Sequence, residues 1–414
     1  MRRRALAIFF LGMIFLHGVV LLQEWHLVAK GFPDFSIFYT AGKIVRQGEG
    51  AHLYDESLQQ QMQMSFVPLA LRERGSILPF NHPPFEALVF VPLTYLPFMT
   101  AYFVWMGIEL AMLVATAEML RRRLPAMGKL PLWVWMLGIV GFTPIFVGLL
   151  QGQDAIFVLF CYAASWAWER KAEICAGAVL ALGLCKFHLV LPFLVPLLLL
   201  RKKRLLAGFV SVAALEALLS LMITGWNGLA AYPRFAWYTD HAGKFQWNFT
   251  QENTPTIRGS LVMLWGPESP TRIAAIVVLS AVVLSVAVYA MRRMSISWET
   301  GLLAFAVNLV ATLLVSFHAY TSDLSLLLLP VVFSGEVLLS RSSLSQTVRA
   351  GLGGAAMLVS LTPLYLVLLL RYRMLHLMTF AMLIFLVALL AAVKQMSAPV
   401  LEHQRVLVAQ NHLA

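Results

Sequence analysis

Long apolar runs, bounded by charges or helix breakers and mostly closed at one end by arginine or lysine, recur along the chain from Ala5 to Val393. A hydrocarbon layer takes about 20 apolar helical residues to cross, so runs of this kind leave a chain little choice of solvent. Composition agrees: 60% of the residues are hydrophobic and 12% are charged, against about 25% charged in an ordinary soluble domain. The 414 residues therefore read as one all-α, polytopic membrane domain, residues 1–414, with about 12 transmembrane helices. The formal charge of +11 calls for no nucleic acid, because the basic residues sit in short runs at the ends of apolar segments, where they orient helices in a bilayer.

With the N-terminus in the cytoplasm, the cytoplasmic connections are Arg2 to Arg4, Arg121 to Lys129, Arg170-Lys171, Arg201 to Arg204, Arg292-Arg293, Arg341 to Arg349 and the tail from Lys394. Every one carries Lys or Arg, as the positive-inside rule requires. The N-terminal basic and apolar stretch has the outline of a signal peptide, but bulky, polar Gln23 to His26 follow it, so it reads as a retained first helix. Two long exterior connections result, residues 23–99 and 225–272. The runs Ala172 to Cys185 and Leu189 to Leu200 are short, and they meet at Lys186-Phe187-His188 with basic turns at both outer ends. Such a pair places Lys186 in a cavity below the exterior surface.

Several polar residues need a reason in so apolar a chain. Asp34 follows Pro33 at the head of an amphipathic run, which suits a helix N-cap as well as a functional carboxylate. His318 lies in the polar cluster Ser316 to Asp323 between two apolar spans; it faces water, a cavity or a ligand, or anchors a plain exterior turn together with Tyr320. Lys186 is costly at depth unless it meets an anion or snorkels to the interface. Gln151-Gly152-Gln153-Asp154 reads equally well as an ordinary tight turn. In the second exterior loop Trp226, Trp237, Tyr238, Trp247 and Asn248 mix aromatic faces with amides, a combination that suits sugars but also builds interfacial belts. Asn248-Phe249-Thr250 matches a glycosylation sequon. Cys161, Cys175 and Cys185 fall in apolar stretches without metal-ligand spacing, so neither a disulfide framework nor a zinc site is expected. Phosphate-binding glycine loops, nucleophile elbows and HExxH are absent from the sequence, which argues against a nucleotide-using site.

Asp34-Phe35-Ser36-Ile37-Phe38-Tyr39-Thr40-Ala41-Gly42, then Gly48 to Asp55, Phe80-Asn81-His82-Pro83-Pro84-Phe85 and Pro92-Leu93 together resemble glycosyltransferase family 87. That family includes polyprenyl-phosphate-mannose-dependent membrane enzymes of the GT-C fold. Gly152-Gln153, Lys186 ahead of Pro192 and the His318 turn also have counterparts there. The resemblance is strongest from Asp34 to Pro97 and thins to isolated residues after Arg204, and Thr250 to Thr254 departs from the Asn-Gln-Ser-like stretch the family would place there.

The resemblance implies a GT-C architecture in which juxtamembrane helices of the first loop roof an exterior cavity, with Asp34 at the place of the catalytic carboxylate. On that footing Asp34 and His318 are the expected catalytic residues, and Lys186, Arg258 and His188 the expected contacts of the donor phosphate. Tyr39, Tyr54, Asn81, His82, Gln151, Gln153, Trp247 and Asn248 are expected to bind substrate. The implied reaction is inverting transfer from a polyprenyl-phosphate sugar, mannose foremost, to a lipid-linked or other exterior acceptor, with no cofactor and no metal required. Membrane lipid, donor and acceptor are the implied partners. A bacterial cytoplasmic membrane, with both termini cytoplasmic and the active face periplasmic, is the implied setting. The rival reading is a transporter or flippase of lipid-linked sugars; it needs ionisable residues in mid-span, of which Glu109 and Glu216 are the clearest, and matching repeats, which the two halves lack.

Overall fold

The computed structural model describes residues 2–241, 254–266, 269–340 and 344–411, and these are helical, without a strand. Seven helical stretches among them are long and apolar enough to cross a membrane, and a pair bent by 74°, Leu132–Val140 with Thr143–Gln151, makes an eighth. The count expected from the sequence, about 12, is not reached by this measure. The shortfall lies in apolar helices such as Ala155–Glu169 and Leu328–Leu339, which pack beside the long ones but are too short for a lone crossing.

The first helix, α1, runs over Arg2–Lys30, and the second, α2, over Phe35–Arg46. Phe35, Phe38, Ala41 and Ile44 of α2 are completely buried, and a Cβ on Gly42 would stand 2.9 Å from the Phe90 backbone. Thus α2 packs flat against the apolar segment Pro84–Tyr95. Two buried amides fasten the chain between them. Gln59 bonds to the Leu53 carbonyl and the Phe80 N–H, and Gln63 to both backbone groups of Leu78, so this loop satisfies its own polar backbone.

Helix α3 (Phe98–Arg123) crosses next, followed by the bent pair α4 (Leu132–Val140) and α5 (Thr143–Gln151), and by α6 (Ala155–Glu169). Then α7 (Glu173–Ala181) passes through a tight turn, Leu182–Lys186, into α8 (Phe187–Leu199). This stretch has the length of one crossing, yet it folds back on itself. A Cβ on Gly183 would lie 3.2 Å from the Val190 side chain, whereas residues seven apart on a straight helix are about 10 Å apart along the axis. Lys202, just beyond α8, returns to within 3.5 Å of Glu169 at the end of α6. The tip is Lys186 itself, whose backbone leaves the helical region (φ −111°, ψ 64°).

Helix α9 (Lys203–His241) starts beside α7 at a contact of small residues. A Cβ on Gly177 would be 1.8 Å from the Leu205 carbonyl oxygen, and one on Gly208 1.9 Å from that of Ile174, a close backbone approach of the kind that joins helices in lipid. Gly225 (φ 63°, ψ −179°) breaks α9, and the remainder of the helix lies over the first loop, with Tyr232 against Tyr54 at 5.3 Å and Thr239 hydrogen-bonded to Asn81 at 3.2 Å. Helices α10 (Ile257–Trp265), α11 (Pro270–Met291), α12 (Trp298–Val315), α13 (Leu328–Leu339), α14 (Gln346–Leu358) and α15 (Met378–Asn411) follow, with short helical turns over residues 362–377 between the last two. Of these α12 is the most enclosed, buried from Thr300 to Leu314.

Because α7 and α9 touch through backbone, Gly208→Ala is expected to destabilise the protein by about 1–3 kcal/mol, as overpacking does. Gly351→Ala, on α14 with nothing within 4 Å of the added carbon, should leave the thermal midpoint of the purified protein unchanged or slightly raised.

Candidate active site

Five connections converge at one end of the bundle: the turn between α1 and α2, residues 81–86, the α5–α6 turn, the α7–α8 tip and residues 316–323. Asp34 occupies the N-cap position of α2, but its side chain makes no capping bond. Instead its Oδ2 accepts a 2.7 Å hydrogen bond from Gln153 Nε2, while its backbone N–H donates to Gln151 Oε1 at 3.1 Å. Both glutamines can face Asp34 because Gly152 between them adopts φ 62°, where a Cβ would also strike Phe35 at 2.9 Å. The tight turn visible in the sequence is thus a two-amide clamp on one aspartate.

Lys186 anchors the clamp from the other side. Its Nζ donates to Gln153 Oε1 at 3.2 Å and lies 3.0 Å from Asp154 Oδ1 and 3.0 Å from Asp323 Oδ1. An ammonium has three hydrogens to donate, and three protein oxygens take them. Asp323 is fixed in turn by the Tyr320 N–H, which donates to its Oδ2 at 2.8 Å. The result is a continuous chain Asp323–Lys186–Gln153–Asp34, buried at Lys186 and Asp323 and partly exposed at Asp34.

Beside it lies a second group. His82 Nδ1 stands 2.8 Å from Glu86 Oε2 and 3.7 Å from Asp154 Oδ2, and the Tyr54 hydroxyl donates to the His82 carbonyl at 2.8 Å. Burial pushes the Asp154 carboxyl up, but the Lys186 ammonium and His82 outweigh it and hold it below the ordinary range. Glu86 moves the other way: burial raises it and Asp154 adds to the rise against the opposing pull of His82.

Beside the tip, the rings of His188 and His318 meet at 4.2 Å, tilted by 35°. Among the described residues no hydrogen-bond partner meets His188 Nε2 or His318 Nδ1. Burial lowers His318 to about 4, against the charges of Asp323 and Asp240 that favour protonation; at neutral pH it is a neutral donor and acceptor. Arg258 backs this pair, with its guanidinium 2.9 Å from Asp240, 3.3 Å from the Phe317 carbonyl and 3.8 Å from the Phe317 ring.

Of the residues singled out in the sequence, Asp34, His82, Gln151, Gln153, Lys186, His188, Arg258 and His318 come together here. Tyr39 does not: its hydroxyl donates to the Leu96 carbonyl at 2.8 Å inside the first-loop core. Tyr54 and Asn81 hold the loop through His82 and Thr239, and Trp247 and Asn248 lie outside the described residues. Glu86, Asp154, Asp240 and Asp323 were not singled out. The signal for Asp154 and Asp323 was available, since each stands at an exterior turn within reach of the lysine between two short apolar runs.

A model of glycosyltransferase family 87 matches residues 80–319, more than half of the chain. The chain belongs to glycosyltransferase family 87. The matched part of this membrane glycosyltransferase begins at Phe80, after the Asp34 to Asp55 blocks, and reaches Ala319, so the likeness extends well beyond Arg204, where isolated residues alone carried it. Neither the curated proteins nor the solved structures contain a match to the chain. The family's sugar transfer needs membrane lipid around it and a donor and an acceptor in a cleft; His188, His318 and Asp34 line the same polar region from three connections.

Two outcomes follow from the charges. Lys186→Met removes the ammonium that bridges Asp154 and Asp323 and should cost about 3–5 kcal/mol of stability, as breaking a buried pair does, with part of the loss restored by adding Asp323→Asn; thermal unfolding in detergent reads both. His318, neutral when folded and free to protonate when unfolded, contributes stability that is present above pH 6.5 and lost as the pH falls toward about 4, because the unfolded state then binds the extra proton. The midpoint of His318→Gln should therefore fall less than that of the wild type across this window.

Proposed function

We propose that this family 87 glycosyltransferase moves a sugar, mannose foremost, from a polyprenyl phosphate to the hydroxyl of a lipid-linked or other acceptor, with inversion, and that Asp34 is the general base. The observation that carries this reading is the bond from Gln153 to one oxygen of Asp34, which holds a partly exposed carboxylate at the rim of the bundle directly beyond α1. A sugar on polyprenyl phosphate presents its anomeric carbon near that height, since the phosphate rests at the membrane surface and the chain lies in lipid. The acceptor oxygen attacks the anomeric carbon from the face opposite the phosphate and yields its proton to Asp34. The carbon–oxygen bond to phosphate breaks in the same displacement, and the electron pair leaves with the lipid phosphate.

Negative charge growing on that phosphate needs donors already aimed at it. Lys186 is spent on Asp154, Asp323 and Gln153, so its part is to position Gln153 and through it Asp34. The phosphate falls instead to His188 and His318, whose rings meet at 4.2 Å and whose Nε2 and Nδ1, respectively, have no hydrogen-bond partner among the described residues, with Arg258 behind them. Asp154 is engaged by Lys186 and His82, which leaves Asp34 as the carboxylate for a single inverting displacement. The setting is a bacterial cytoplasmic membrane with both termini in the cytoplasm and this end of the bundle in the periplasm.

Purified protein incubated with a panel of polyprenyl-phosphate sugars and a membrane lipid extract should give a mass-shifted product. Asp34→Asn should lower turnover by about 10²–10⁴-fold, the range for loss of a general base, while donor binding persists. Turnover retained in that variant would remove Asp34 from the chemistry.

A further inference from the structure

The His82 group has a geometry that hydrogen bonding among its own members does not exhaust. One donor atom from each of His82, Glu86 and Asp154 lies within 4.8 Å of the other two, with edges of 2.8 Å and 3.7 Å at the imidazole. Ligands held about 2.0–2.2 Å from one ion stand about 3 Å from each other, so side-chain adjustments of an ångström or so bring all three onto a common centre. Glu86 is 3% exposed, and its Oε1 meets no hydrogen-bond partner among the described residues. A buried carboxylate oxygen left in that state costs free energy unless a cation or proton meets it.

We propose that His82, Glu86 and Asp154 form a binding site for one divalent first-row transition cation, Mn²⁺ or Zn²⁺ in class. An imidazole nitrogen with two carboxylate oxygens suits such ions better than the all-oxygen shells of Mg²⁺ or Ca²⁺. Asp154 joins the site to the rest of the cleft, because its Oδ2 faces His82 while its Oδ1 faces Lys186. The Tyr54 bond to the His82 carbonyl and the rings of Phe38 and Phe80, 5.1 Å and 5.7 Å from the imidazole, hold that side chain in place. The charges around the cleft also favour a cation: Asp34, Asp154, Asp240 and Asp323 outnumber Lys186, Arg258 and Arg74, which lies near Asp34. An ion there would temper the field met by an anionic donor. That last point rests on the phosphate-donor reading; the ligand geometry does not, and the sequence alone had suggested that no metal is required.

The test is a binding measurement that needs no sugar donor. Full-length protein in detergent, stripped with a chelator and desalted, is titrated with Mn²⁺ while electron paramagnetic resonance follows the free ion. The wild type should take up one equivalent, and its thermal midpoint should rise with Mn²⁺. Glu86→Gln, which keeps the shape of the side chain, and His82→Gln should each weaken uptake at least tenfold and lose the thermal shift. Wild-type protein that binds no Mn²⁺ or Zn²⁺ above background would overturn the site and leave a proton shared between Glu86 and Asp154 in its place. Uptake equal in the wild type and both variants would overturn it as well, and neither result would bear on Asp34.

Discussion

An ammonium group lies 4% exposed at the tip of a hairpin inside a membrane protein, and much of the molecule is arranged around keeping it there. Lipid offers a bare charge no solvation, and burying one unpaired costs several kcal/mol. Lys186 is tolerable because Asp154 and Asp323 each approach to 3.0 Å and Gln153 takes its third hydrogen. Those partners come from the α5–α6 turn and from the segment before α13, so the charge holds together elements more than 130 residues apart in sequence. What looks like three unrelated turns is one electrostatic unit.

That unit ties together the connections at this end of the bundle. Gln153 is gripped by Lys186 on one side and grips Asp34 on the other, so the aspartate inherits its orientation from a charge that cannot move cheaply. Gly152 makes the arrangement possible by turning the backbone through φ 62° between two amides that both serve Asp34. Beside the tip, His188 Nε2 and His318 Nδ1 have no hydrogen-bond partner among the described residues. A held carboxylate and a pair of unbonded imidazole nitrogens are the division of labour that the proposed displacement at a sugar carbon calls for.

Some of this was readable in one dimension. Basic residues at both outer ends of two short apolar runs already required the chain to turn back near Lys186, and the structure turns there. Asp34 could be placed after the first helix, but sequence could not tell a cap from a functional carboxylate, because that depends on which way the side chain points; the bond to Gln153 decides where it points. Asp154 and Asp323 were harder, since an acidic residue at an exterior turn is unremarkable until a lysine from elsewhere is brought between the two. Tyr39 stands apart from the cluster: its hydroxyl donates to the Leu96 carbonyl in a packed loop whose core periodicity did not announce. A count of crossings is hard to read from sequence because apolarity marks burial in protein as well as in lipid, and α12, enclosed from Thr300 to Leu314 yet long enough to cross, satisfies both descriptions.

The central claim is that the held carboxylate and the open histidines address two ends of the same bond. A cryo-electron microscopy structure with a non-hydrolysable polyprenyl-phosphonate sugar reads this directly. The account predicts the phosphonate against His188 and His318, with the anomeric carbon turned toward Asp34 and room between them for one acceptor oxygen. A phosphonate bound at another face of the bundle, or a sugar whose anomeric carbon points away from Asp34, would contradict it.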